Sequence, residues 1–180
     1  MNQLIKKIPN ILSTLRLLLA MLFPFSAPQE WVWLVLAAGG SDFLDGWLAR
    51  RWRAQSWQGG LLDASADKLF VLSALVTFVL AGRFSPWWIP LVIARDLAVT
   101  GIALYAFWRR SWSSFRKMEA SLSGKLATGG QFLLFLAVSL APACSRYILV
   151  VTVLLSLLSV LDYGWRFVGV LHQHEREGCS

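Results

Sequence analysis

The chain alternates between long apolar runs and short polar gaps. About six apolar runs stand out, over residues 11–26, 31–49, 61–82, 86–108, 124–142 and 146–168. Each is close to the roughly 20 residues a helix needs to cross a bilayer. Turn chemistry fills three of the gaps: Ser26-Ala27-Pro28-Gln29, Gly82-Arg83-Phe84-Ser85-Pro86 and Ala141-Pro142-Ala143-Cys144-Ser145. The pattern predicts an all-α, polytopic integral membrane protein of about six transmembrane helices, built as a single domain over residues 1–180. Neither an internal repeat nor a long linker interrupts it.

Composition agrees. Apolar residues make up 57% of the chain and charged residues 15%, against roughly 25% charged in a soluble domain. Ten Trp and eleven Phe suit aromatic anchors at the two bilayer interfaces. The net charge of +7 would point to nucleic acid in a soluble protein. Here the basic residues sit between apolar runs, so they read as topology signals and as attraction to anionic lipid, with no nucleic-acid partner.

Lys6, Lys7, Arg50, Arg51, Arg53, Arg109, Arg110, Arg116, Lys117 and Arg176 fall at the amino terminus, in the second and fourth loops, or in the tail; the other loops hold Arg83 and Arg146. This asymmetry places both termini on the cytoplasmic side of a cytoplasmic (inner) membrane. Lys6 and Lys7 before an apolar run, with Phe25-Ser26-Ala27 after it, imitate a signal peptide. Arg16 interrupts the run and Pro28 would follow the cleavage point, so the segment reads as a retained helix. Cys144 and Cys179 fall on opposite sides in this topology and cannot pair within the chain.

The candidate chemistry is concentrated in one window. Asp42, Asp45, Asp63 and Asp67 are four of only ten acidic residues in the chain. Asp42 and Asp45 are spaced i, i+3, and Asp63 and Asp67 i, i+4, so each pair shares a helix face. A short basic loop joins the two pairs, so the helices are expected to be antiparallel neighbours with the carboxylates converging. Carboxylates at a membrane edge require partners, and four together suit a pair of divalent cations. Oxygen ligands without His or Cys select Mg²⁺ or Mn²⁺ over zinc. Two such ions clamp the attacking and leaving oxygens of a phosphoryl displacement.

Gly46 and Ala49 keep the helix face low beside the acids, giving a base or diphosphate access to the backbone. Gly59 and Gly60 are expected to break the connection so that the chain turns into the third helix. Arg50 offers a planar fork for phosphate oxygens, whereas Arg51 and Arg53 are less distinctive and mark the cytoplasmic face. Lys68 reads equally as a counter-ion or a phosphate contact.

Asp42, Asp45, Gly46, Ala49, Arg50, Gly59, Asp63 and Asp67 together form Asp-x2-Asp-Gly-x2-Ala-Arg-x8-Gly-x3-Asp-x3-Asp. This pattern resembles the signature of the CDP-alcohol phosphatidyltransferases at every fixed position. The resemblance implies a membrane enzyme of about six helices, generally homodimeric, that takes CDP-diacylglycerol as donor. It implies that Asp42, Asp45, Asp63 and Asp67 hold two Mg²⁺ or Mn²⁺ ions. Gly46, Ala49, Arg50, Gly59 and Asn10 would then serve the CDP-lipid. Asp67 would also act as general base on the acceptor alcohol, with CMP leaving and the active site facing the cytoplasm.

The acceptor is less sharply marked. Pro9-Asn10-Ile11-Leu12-Ser13-Thr14-Leu15-Arg16 resembles the amino-terminal segment of bacterial phosphatidylglycerophosphate synthases, as do Ile93-Ala94-Arg95-Asp96 and Ser123-Gly124-Lys125-Leu126-Ala127-Thr128. Asn10 reads either as a headgroup contact or as a helix cap, and Arg16 either as a headgroup contact or as a snorkelling side chain. Arg95 and Lys125 enter apolar segments, where an anionic acceptor such as glycerol 3-phosphate would satisfy both. Arg95 paired with Asp96 is the competing reading. Asp96 stands where the synthases usually carry Glu, and Arg-Asp followed by Ser-Gly-Lys is also similar to cardiolipin synthases, which use phosphatidylglycerol. A polyol phosphate is a further alternative acceptor.

A small ion or proton transporter is the alternative from another class, but the repeated halves and midplane charges of transporters do not match acids clustered near one face. Asp162 and Arg166 read as an interfacial ion pair, and His172, His174, Glu175 and Glu177 as a solvated tail. Ile5 and Ile8 beside Lys6 and Lys7 make an amphipathic start suited to the membrane interface.

Overall fold

The computed structural model describes the backbone of residues 3–52, 57–108 and 122–177, and side chains within 11–44, 60, 62–102, 104 and 123–166. These residues are all-helical, with no strands among them. The helices are α1 (Gln3–Leu22), a short 3₁₀ turn (Phe23–Phe25), α2 (Trp31–Trp52), α3 (Trp57–Leu80), α4 (Trp88–Val92), α5 (Ala94–Trp108), α6 (Leu122–Leu140) and α7 (Pro142–Glu177). The chain forms two compact units, Met1–Pro86 with Phe135–Ser145, and Trp87–Leu134 with Arg146–Ser180.

Local chemistry sets the boundaries. Pro24 cannot donate to a preceding turn and enters the 3₁₀ segment that closes α1. Gly82, at φ 69°, ends α3: its N–H donates to the Val79 carbonyl at 2.9 Å and the Arg83 N–H to the Phe78 carbonyl at 2.9 Å. That is the paired pattern of a Schellman cap, which a glycine in the left-handed region makes without strain. Pro142 opens α7 at the position where a missing N–H costs nothing.

The first unit is cored by aromatic rings. Phe23 meets Phe70 at 5.6 Å and Phe78 at 5.7 Å, both edge to face, and stacks on Trp31 at 6.4 Å. Phe135 joins Phe78 at 5.8 Å. Such pairs each add roughly 0.5–1.5 kcal/mol beyond their area burial. Part of the aromatic content therefore builds core, not interfacial anchors alone. Phe25, Trp33, Trp87 and Trp165 are the outward-facing kind, at 89%, 70%, 82% and 85% exposure. Small residues let the helices of this unit close: Ala20, Ala38, Ala66 and Ala74 are all buried, and Ser73 of α3 donates to the Ala20 carbonyl of α1 at 2.6 Å.

Among the described residues, Pro142–Arg166 of α7 is the one helix long and apolar enough to cross a membrane; Ile11–Phe25 and Trp31–Leu44 are shorter apolar helices. Only 28% of the α7 window is buried, unlike the core helix of a water-soluble fold. Every helix with described side chains exposes large apolar residues, a surface beyond what soluble monomers show to water.

Three expectations change. Gly59 and Gly60 do not break the chain, because α3 already begins at Trp57; residues 53–56, between α2 and α3, lie outside the described residues. Asn10 is no helix cap, because α1 begins at Gln3 and carries it in the interior. The polar tail is carried on α7, which runs through Glu177, and its side chains lie outside the described residues. The apolar run 86–108 is two helices, interrupted at Ile93. At that break the Val92 carbonyl accepts from Gln131 Nε2 and from Ser156 Oγ, each at 3.1 Å, and the Arg95 N–H donates to Ser156 Oγ at 3.2 Å. Side chains of α6 and α7 thus enter the backbone ladder and satisfy the groups the break releases.

Candidate functional site

The first unit gathers charge around Arg16. Ser13 and Arg16 lie one turn apart on α1 and share a face. The Arg16 side chain is wholly buried; its Nη1 lies 2.8 Å from Asp63 Oδ1 on α3 and 3.4 Å from Asp42 Oδ1 on α2. Ser13 Oγ donates to the same Asp63 oxygen at 3.3 Å. A buried cation is tolerated only when paired, and here two carboxylates from two other helices supply the pairing. Burial against two acids excludes the snorkelling reading of Arg16.

The convergence expected from the Asp spacing is present for Asp42 and Asp63. Two oxygens at 3.4 and 2.8 Å from one nitrogen are at most about 6 Å apart, a span that suits ligands of one or two hard cations about 3.5–4 Å from each other. Both carboxylates remain open, with side-chain exposures of 41% and 40%. The contacts described between these acids and Arg16 or Ser13 engage Oδ1. Asp67 follows one turn after Asp63 on α3, half-buried, with Oδ1 shielded from solvent. Among the described residues no group of three or more Asp, Glu, His or Cys stands ready around one ion. The side chains of Asn10, Asp45, Ala49 and Arg50, and the surroundings of Gly46 and Gly59, lie outside the described residues. Hard, partly exposed oxygens from separate helices fit a divalent metal.

The second unit holds a separate polar cluster. Arg95, at the start of α5, donates from Nη1 to Asp96 Oδ1 at 2.8 Å and to Thr128 Oγ1 at 3.2 Å. Gln131 Nε2 holds the other Asp96 oxygen at 2.9 Å. The Arg95 guanidinium also lies 6.0 Å from the centre of the Tyr163 ring, within cation–π range. Gly124 makes this packing possible: a Cβ there would stand 2.8 Å from Tyr163 Oη and 3.0 Å from Arg95 Nη2. Lys125, the next residue on α6, is exposed. The Arg95–Asp96 pairing that competes with acceptor binding in the sequence is therefore made, and the Arg95 side chain as a whole keeps 20% exposure. Toward the end of α7, Arg166 Nε pairs with Asp162 Oδ1 at 2.9 Å, as the spacing predicts, and Ser123 Oγ donates to Asp162 Oδ2 at 2.6 Å.

Several of these roles escape a reading of the sequence. Arg16 signals itself as a charge inside an apolar run, but its partners lie 26 and 47 positions away. Gln131 is likewise a lone polar residue in an apolar run. Tyr163 and Gly124 carry no local sign of their contact.

Comparison with known proteins agrees with this picture. The family model for CDP-alcohol phosphatidyltransferase matches residues 6–160. The chain is 36% identical over 172 residues to a "Cardiolipin synthase (CMP-forming)" of Streptomyces coelicolor, covering 90% of this chain and 74% of that one. It is 41% identical over 106 residues to a "CDP-diacylglycerol--glycerol-3-phosphate 3-phosphatidyltransferase" of Cereibacter sphaeroides, covering 53% of this chain and 48% of that one. A protein of the same description from Yersinia enterocolitica is 30% identical over 178 residues, covering 88% and 95%. With a match across most of its length and a signature present at every fixed position, the chain belongs to the CDP-alcohol phosphatidyltransferase family of membrane proteins and is a phosphatidyltransferase enzyme.

Proposed function

We propose that this enzyme transfers the phosphatidyl group of CDP-diacylglycerol to glycerol 3-phosphate, giving phosphatidylglycerol phosphate and CMP. The observation that carries the reading is the meeting of Asp42 and Asp63, from separate helices, at one buried guanidinium. These are signature positions, and their convergence supports a diphosphate site assembled by α1, α2 and α3. Asp42, Asp45, Asp63 and Asp67 would hold two Mg²⁺ or Mn²⁺ ions. Such ions supply electrostatic stabilisation of charge on the diphosphate.

The chain's own groups do the rest. Gly46, Ala49, Arg50, Gly59 and Asn10 bind the CDP-lipid. Asp67 accepts the proton of the acceptor hydroxyl. The acceptor oxygen bonds to the lipid-side phosphorus, the bond from that phosphorus to the CMP oxygen breaks, and CMP departs. No covalent enzyme intermediate is required. Arg95 and Lys125 attract the phosphate of the acceptor. The enzyme works as a homodimer of six-span subunits in the inner membrane, with both termini and the active site on the cytoplasmic face.

One observation favours a second acceptor. The Streptomyces coelicolor protein, similar over 90% of this chain, is described as a cardiolipin synthase, for which the acceptor would be phosphatidylglycerol. CMP release by detergent-purified protein, given CDP-diacylglycerol, Mg²⁺ or Mn²⁺, and one acceptor at a time, separates the two. Release with glycerol 3-phosphate alone establishes the first reading. Release with phosphatidylglycerol alone moves the acceptor and keeps the reaction. Silence with both removes the proposal.

A further inference from the structure

We propose that Arg16 is a built-in counter-charge for the carboxylate site: it holds Asp42 of α2 and Asp63 of α3 together before a divalent ion binds, and it weakens the ion's hold once bound. This rests on the metal reading above and adds a positioning residue that sets metal affinity.

The position of the guanidinium carries the inference. Two carboxylates that converge repel each other unless a cation stands between them. Arg16 Nη1 is in that position, at 2.8 Å from Asp63 and 3.4 Å from Asp42. Its permanent charge cannot be lost by deprotonation. A substrate phosphate is the obvious competing partner for an arginine near such a site. Arg16 has no exposed surface with which to meet one, whereas the two acids are open. Any ion that takes Asp42 and Asp63 as ligands becomes a neighbour of the guanidinium, and two like charges at close range oppose each other. The acids are therefore assembled without metal, and the metal is held less tightly than they alone would hold it. An enzyme with this device exchanges ions without losing the packing of α1 against α2 and α3.

The test is Mn²⁺ binding to detergent-purified wild type, Arg16→Gln and Arg16→Lys, read by the electron paramagnetic resonance of free Mn²⁺, with thermal unfolding in chelator and in Mn²⁺. Glutamine removes the charge; lysine keeps it without the planar fork. Arg16→Gln is expected to bind Mn²⁺ at least about tenfold more tightly, to unfold at a lower temperature in chelator, and to gain more from Mn²⁺ than wild type gains. Arg16→Lys is expected to keep wild-type affinity within about threefold, because the charge is unchanged. Unchanged or weaker binding by Arg16→Gln overturns the inference, as does an equal loss of stability with and without Mn²⁺. If the glutamine variant does not fold, the lysine variant decides: a change of about tenfold or more at constant charge overturns the proposal. Failure of wild type itself to bind Mn²⁺ overturns the metal reading and this inference with it, an outcome distinct from binding that Arg16 does not tune.

Discussion

Arg16 and Arg95 both lie on apolar helices, and they are satisfied in different ways. Arg16 reaches across to two other helices and is wholly buried, while its acidic partners stay open. Arg95 takes its acid from the adjacent position on its own helix, keeps 20% exposure, and is steadied by side chains of α6 and α7. The first arrangement ties three helices together and leaves two carboxylates available for chemistry. The second keeps a cation locally neutralised. Arg16 is thus a structural rivet between helices, whereas Arg95 takes its acid from next door.

The sharpest way to test the contrast is to alter chemistry beside the rivet without touching the rivet. Asp67→Asn is nearly isosteric and leaves Arg16, Asp42 and Asp63 in place. Turnover is expected to fall by roughly 10²–10⁴-fold, the usual contribution of a general base, with the unfolding temperature unchanged. Substantial residual CMP release would take Asp67 out of that role.

Arg95→Ala addresses the other half. The expected result is a rise of about tenfold in KM for glycerol 3-phosphate, the size of one modest polar interaction, with CDP-diacylglycerol affinity steady. A change confined to the CDP-lipid would put Arg95 on the donor side instead.

Gly124→Ala probes the packing that seats Arg95. Its Cβ would meet Tyr163 Oη at 2.8 Å, and Tyr163 is itself buried. A loss of roughly 1–2 kcal/mol is expected, the overpacking cost exceeding the small helix-propensity gain. Adding Tyr163→Phe removes the nearest atom and should recover most of the loss in a thermal unfolding series. No recovery would show that Arg95 Nη2, at 3.0 Å, is the group that resists.

The smallest expected effect is that of Gln131→Leu, which removes the hydrogen bonds to Asp96 and to the Val92 carbonyl. About 1 kcal/mol of stability should go, since Ser156 still serves that carbonyl. A larger loss would make Gln131 the main support of the α4–α5 break.

Much of this was readable beforehand, for physical reasons. The helical class follows from run length, because a backbone in an apolar setting must satisfy itself within one helix. The shared helix faces follow from spacing, since i, i+3 and i, i+4 put Asp42 with Asp45 and Asp63 with Asp67 whatever surrounds them. Boundaries were less legible. Gly59 and Gly60 suit a turn, yet neighbouring residues carry α3 through them; Asn10 suits a cap, yet α1 starts a full seven residues earlier. Propensity is a weak prior when a longer helix has apolar surface to pack.

By itself, then, the sequence determined the helical class and, through a signature matched at every fixed position, the family and its reaction class, because these depend on run length and on separations of a few residues. Only the tertiary structure decided which cation answers Asp42 and Asp63, how the chain bends between α4 and α5, and why Gly124 has no side chain. Each of those rests on atoms that meet across tens of residues, where periodicity along one helix holds no record of the partner.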